Sequence, residues 1–155
     1  MDMEEYLLDG KTALMHGKIA ESITAFTKAI ELDPNNKTAL FSRGMAYLKE
    51  KDCEAAIKDF LAYIELDSSN EKVYCSMGTA YLGLENTEEA LTYFNHSIDI
   101  NPHYPNAYFG RSETFSRLGE TAHAEEDKMT GDRLLKQLSQ AYFESQGIMF
   151  QDPAG

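Results

Sequence analysis

The chain repeats its own chemistry every 34 residues. Tyr6, Leu40, Tyr74 and Tyr108 fall in register, as do Gly10, Gly44 and Gly78. Tyr47, Tyr81 and Phe115 form a third row, and Phe26, Phe60 and Phe94 a fourth. Small residues recur as Ser22, Ala56, Ala90 and Ala124, and Pro34 answers Pro102. A period in this range leaves few folds open. One unit of this size cannot bury its apolar face alone, so neighbours must stack into a solenoid with a continuous core.

Within a unit, apolar residues recur at steps of three and four, the spacing of a helix face. In the first unit Tyr6, Leu7, Gly10, Ala13 and Leu14 make one such face, and Ile23, Phe26 and Ile30 a second. Gly17-Lys18 separates the two, and Asp33-Pro34-Asn35-Asn36 ends the unit, because proline cannot extend a helix and asparagine suits the turn that follows. Residues 37–70 repeat the plan around the turn Glu50-Lys51-Asp52, and residues 71–104 repeat it up to Asn101-Pro102. Gly44 is expected to face the region of Ala56, and Gly78 that of Ala90, where two helices approach closely. Phe60 and Phe94 are expected to fill the space between successive units.

These residues resemble the tetratricopeptide repeat (TPR), a helix-turn-helix unit of 34 residues. The resemblance implies an all-α, right-handed superhelical solenoid, one domain over residues 1–155 with repeats at 3–36, 37–70, 71–104 and 105–138. The fourth unit diverges. Lys128 stands where Phe94 stood one unit earlier, and Gly131 where Ser97 did, while apolar residues continue through Leu134, Leu135, Leu138, Ala141 and Tyr142. The eighth helix is therefore expected to run from Thr121 to Ser145, either bent at Gly131 or broken there to give a separate capping helix. An exposed Lys128 suits a terminal unit, which needs a polar outer face. Residues 139–155 are expected to give a helical extension and a short frayed tail carrying Ile148, Met149 and Phe150.

Charge narrows the function classes. The 26 acidic residues against 14 basic ones give a formal charge of -12, which opposes phosphate backbones and anionic membranes. No stretch approaches the ~20 consecutive apolar residues needed to cross a bilayer. The start, Met-Asp-Met-Glu-Glu, is acidic where a secretory leader is basic and then apolar. Cys53 and Cys75 occupy different places in their units and read as free thiols of a reducing cytoplasm. The sequence has no glycine-rich phosphate loop, nucleophile elbow or HExxH helix, and no further Cys or His joins His96 and Asp99 at ligand spacing. Neither an enzyme nor a metal or cofactor site is expected.

The resemblance implies a concave surface lined by the first helix of each unit, where family members bind extended peptides or helices. It would place there Leu7 and Lys11, then Phe41, Met45 and Leu48, then Lys72, Cys75, Thr79 and Leu82, and finally Phe109, Arg111 and Glu113. Leu7, Phe41, Cys75 and Phe109 form one row, expected to be exposed and apolar, with Lys11, Lys72, Arg111 and Glu113 setting polarity at the rim. One TPR subfamily grips chaperone-tail carboxylates with lysine, arginine and asparagine. The matching positions here hold Leu7, Lys11, Ser42, Lys72 and Ser76, or one unit later Phe41, Met45, Ser76, Asn106 and Gly110, and neither set has the donors. The reading is a non-enzymatic adaptor for a protein or peptide partner. Two alternatives stand beside it. One is self-association through Leu134, Leu135, Leu138 and Tyr142, which no further repeat would cover. The other is a small secretion-type TPR chaperone, which the first unit's position almost at Met1 disfavours, since such chaperones carry an additional N-terminal helical arm.

Overall fold

Five of the eight described helices start at a residue whose side chain caps them. The computed structural model describes residues 1–148, and these form eight helices and no strand. They are α1 (Met3–Met15), α2 (Ile19–Leu32), α3 (Lys37–Lys49), α4 (Cys53–Leu66), α5 (Glu71–Gly83), α6 (Thr87–Ile100), α7 (Pro105–Arg117) and α8 (Thr121–Ser145). Asp2 and Glu5 form a reciprocal capping box on α1. Asn36, Asp52, Asn70 and Asn86 each accept a first-turn backbone N–H, and Pro105 opens α7 without needing a donor. Each side-chain cap contributes about 1 kcal/mol.

The turn inside every unit is the same. Gly17, Lys51, Glu85 and Gly119 take positive φ angles of 73°, 65°, 59° and 75°. The following N–H groups of Lys18, Asp52, Asn86 and Glu120 then reach back 2.9 Å to the carbonyls of Ala13, Tyr47, Tyr81 and Phe115. This left-handed cap satisfies the last carbonyls of the first helix and reverses the chain. Lys51 and Glu85 adopt it despite carrying a Cβ, at a cost of about 1 kcal/mol each.

Within units α1 packs on α2, α3 on α4, α5 on α6 and α7 on α8, and between units α2 meets α3, α4 meets α5 and α6 meets α7. The first helices also touch one another, α1 with α3, α3 with α5 and α5 with α7, whereas no two second helices do. First helices therefore lie closer together than second helices, and the array curves with α1, α3, α5 and α7 on its inner side.

Phe26, Phe60 and Phe94 are fully buried. Their rings, not Ala56 or Ala90, occupy the space at the glycines: a Cβ added to Gly10, Gly44 or Gly78 would lie 2.5, 2.5 or 2.7 Å from Phe26, Phe60 or Phe94. Real Cβ atoms never approach so closely. Phe94 is covered from the next unit as well, because a Cβ at Gly110 would also collide with its ring. The expectation for the glycines was correct about close approach and wrong about the partner.

The eighth helix overruns its unit without interruption, so the break at Gly131 does not occur. Gly131 is instead a seat for Phe109, whose ring would lie 2.7 Å from an added Cβ. Lys128 is exposed, as a terminal unit requires. The tail residues Met149 and Phe150 lie outside the described residues.

Where proline is missing, Asp67 makes the turn. It accepts hydrogen bonds from the Ser69 hydroxyl (2.6 Å) and backbone N–H (3.0 Å), and pairs with Lys37 at 3.1 Å. These hold its carboxyl at about 2, below the ordinary value.

Two outcomes follow from this packing. Gly78→Ala should destabilise by about 1–3 kcal/mol through overpacking, and Phe94→Ala by about 3–5 kcal/mol through loss of the buried ring. In urea unfolding, Phe94→Leu should relieve much of the Gly78→Ala penalty, since the ring is what the new methyl strikes. A depressed carboxyl stabilises above its unfolded value and loses that contribution as pH falls. Asp67 should therefore support folding above about pH 4 and cease to do so towards pH 2. Carboxyl titration by NMR should give a midpoint near 2; an ordinary midpoint, near 4, would contradict the turn geometry.

Candidate functional site

The inner face is built from side chains of the first helices, which touch one another across units. Lys11, Met45, Thr79 and Glu113 recur there at steps of 34. Lys11, Thr79 and Glu113 are exposed and Met45 is half-buried, with its sulfur accepting from the Ser76 hydroxyl of the next unit at 3.4 Å. Lys72 is exposed one turn before Ser76. A cleft of about 390 Å³ opens beside Thr79, with Leu48, Lys51, Cys53, Gly83, Glu85 and Arg117 around it. Its far wall is fixed across a unit boundary: Arg117 donates to the Leu82 carbonyl at 3.0 Å and pairs with Glu113 at 3.0 Å. The surface is mixed in charge, with a lysine at the N-terminal end of the row and a glutamate at the other.

Several residues expected on this face are elsewhere. Leu7, Cys75 and Leu82 are buried, at 6%, 7% and 7% exposure, and belong to the core. Phe41 packs on Phe60 and Tyr63, with ring centroids 6.0 and 6.2 Å apart. Phe109 lies against Gly131 of α8. Phe41 and Phe109 thus pack, half-buried, on the second helix of their own unit, while Leu7 and Cys75 lie in the core. The residues four places further along are Lys11, Met45, Thr79 and Glu113, the row described above.

Arg111 is also absent from the rim. It clasps Asp127 of α8 through two hydrogen bonds of 2.7 and 2.8 Å, and its third nitrogen donates to Asn95 of α6 at 2.9 Å. Arg43, two units earlier, does the same with Asp59 (2.8 and 2.7 Å) and Thr27 (3.2 Å). Each arginine joins a first helix to its own second helix and to the second helix of the preceding unit, away from the groove. Hydrogen bonding to Asp59 and to Asp127 raises the two guanidinium groups above their ordinary value, against the opposing effect of burial. The third unit solves the same place with Met77, fully buried, and Tyr93, which stacks on Tyr81 at 5.3 Å. The signal in the sequence was a 68-residue step from Arg43 to Arg111 and from Asp59 to Asp127, hidden from a 34-residue search by the unit between.

Cys53 and Cys75 are free thiols. Burial pushes Cys75 up to about 12 and also raises Cys53, so neither carries the thiolate that reactivity needs. Among the described residues no group of three or more His, Cys, Asp or Glu could hold a metal ion, and no helix is long and apolar enough to cross a membrane.

The unit-three solution makes the clasps testable. Arg43→Met alone leaves Asp59, 4% exposed, without its partner and should cost about 3–5 kcal/mol. The pair Arg43→Met/Asp59→Tyr, which copies the third unit, should recover most of that in chemical denaturation. A double variant as unstable as the single would show that the clasp has no apolar equivalent at this place.

Residues 7–71 and residues 71–104 each match a family model described as tetratricopeptide repeat. Over 55 residues, 36% of this chain, the sequence is 44% identical to the DnaJ homolog subfamily C member 3 homolog of Dictyostelium discoideum, and the match spans only 11% of that protein. Among solved structures, a MamA protein superposes with a TM-score of 0.76 over 94% of this chain and 83% of its own, at 22% identity. MamA 41-end from Desulfovibrio magneticus RS-1 gives 0.81 over 88% of this chain and 77% of its own, also at 22% identity. Likeness at that identity is one of fold.

Proposed function

As a member of the tetratricopeptide-repeat family, this chain is a protein-interaction module, and we propose that it holds an extended peptide or a helix of a partner protein along the face of α1, α3, α5 and α7. The observation that carries the reading is the row Lys11, Met45, Thr79 and Glu113, one residue from each first helix, accessible on the inner side of the curve. Leu48 and Met45 supply the apolar contact, and the cleft beside Thr79 gives a side chain of the ligand somewhere to enter. Lys11 favours a ligand whose acidic end lies over the first unit, whereas Glu113 at the other end is paired with Arg117. The work of the site is binding without catalysis, in a reducing compartment such as the cytoplasm where Cys53 and Cys75 stay as thiols.

Phe41 and Phe109 contribute by stiffening the face from beneath. Changing either would damage the core and confuse a binding test, so the informative variant is at Thr79, which is exposed. Peptides selected on the unmodified protein from a displayed library should bind Thr79→Arg at least about tenfold more weakly, a loss of about 1.4 kcal/mol, with an unchanged melting temperature. Undiminished binding would place the ligand on another surface.

A further inference from the structure

We propose that the end of α8 pairs antiparallel with the same segment of a second copy of this chain, giving a weak two-fold dimer with its two peptide-binding faces far apart. The face that α8 turns to α7 runs through Ala124, Asp127, Gly131 and Leu134, all buried, and continues at the same spacing through Leu138 and Tyr142, which are 53% and 62% exposed. The difference is one of length. α7 has 13 residues and α8 has 25, and among the described residues α7 is the one helix that α8 packs against. Residues 135–145 therefore project beyond the array by about 16 Å, at 1.5 Å per residue. Leu134, expected in the self-association surface, belongs to the covered part, while Leu135, half-exposed, borders the uncovered one.

Charge selects the occupant and its direction. Residues 1–132 hold 24 acidic and 12 basic side chains, whereas residues 133–148 hold only Arg133, Lys136 and Glu144. The net charge of residues 1–132 opposes the approach of two copies, and this segment carries little of it. Ser139 and Gln146 border the stripe on one side and Gln137 and Ala141 on the other, so its edges carry no charge. A parallel pair would set the two acidic arrays side by side. The antiparallel pair sends them to opposite ends, with Leu138 near the axis facing its own copy and Leu135 facing the partner's Tyr142. Such a self-complementary contact is the isologous interface of a two-fold dimer. Two 11-residue stripes bury close to the lower bound of about 1,000 Å² for a specific interface, so association is expected at micromolar concentration.

Sedimentation equilibrium over a concentration series tests this, with three chains: unmodified, Leu138→Glu, and one ending at Ile148. The unmodified and shortened chains should both dimerise, and Leu138→Glu should stay monomeric with unchanged helix content and melting temperature. Raising salt from about 20 mM to about 500 mM should tighten the dimer several-fold, because screening removes the repulsion between the acidic arrays. Small-angle scattering should show an elongated dimer. Monomers at about 500 µM in both the unmodified and shortened chains would overturn the proposal, the range in which even a weak contact of this size is populated. A dimer in the shortened chain alone would overturn it in favour of residues 149–155 as the occupant, and a dimer that survives Leu138→Glu, or a compact one, would assign another surface or direction.

Discussion

The array rests on aromatic rings seated where a side chain is missing. Phe26, Phe60 and Phe94 each lie on a glycine of the preceding helix, at a distance that no Cβ would tolerate. The ring brings most of the buried apolar area, and the glycine lets the two helix axes close on it. Neither residue achieves this alone. A smaller residue for Phe94 leaves a cavity in a densely packed interior, and a larger one for Gly78 forces the helices apart. Because Phe94 also rests on Gly110, the contact that closes one unit sets its distance to the next. At this boundary, local pairing and solenoid growth are the same interaction.

The polar clasps of Arg43 and Arg111 act on the other side of the array. Each holds three helices at once, and each is satisfied by bidentate geometry that offsets the cost of removing a charge from water. They appear at alternate units, with Met77 and Tyr93 between. The inner face is left with no such bonds between most of its side chains, and that is the condition for a groove to accept an outside ligand. Second helices and clasps hold the array, and the opposite side of the first helices is the face proposed to bind.

Much of this was legible in the sequence. The helix limits follow from caps and turns that repeat at 34, and the overrun of α8 to Ser145 follows from an apolar rhythm that continues where a proline turn fails to arrive. The seating of Phe109 on Gly131 was not legible, since a lone glycine in a helical pattern reads equally as a break. The groove was only partly so. Leu7, Phe41, Cys75 and Phe109 are apolar and lie on first helices, yet periodicity gives their common direction without saying which neighbour stands in it. For Phe41 and Phe109 the second helix of the same unit does. Lys51 and Glu85 show the same limit in the backbone: nothing about their residue type announces a left-handed turn, and only the glycines at 17 and 119 in the same register reveal it.

In the proposed function one face of the molecule binds and the other holds. Backbone amide shifts, followed as a selected peptide is titrated into the labelled protein, test that division most directly. The largest changes should trace Lys11, Met45, Thr79 and Glu113 across α1, α3, α5 and α7, with α2, α4 and α6 little affected. Changes centred on the second helices instead would show that the ligand sits on the outer side, and the assignment of the inner face would be wrong.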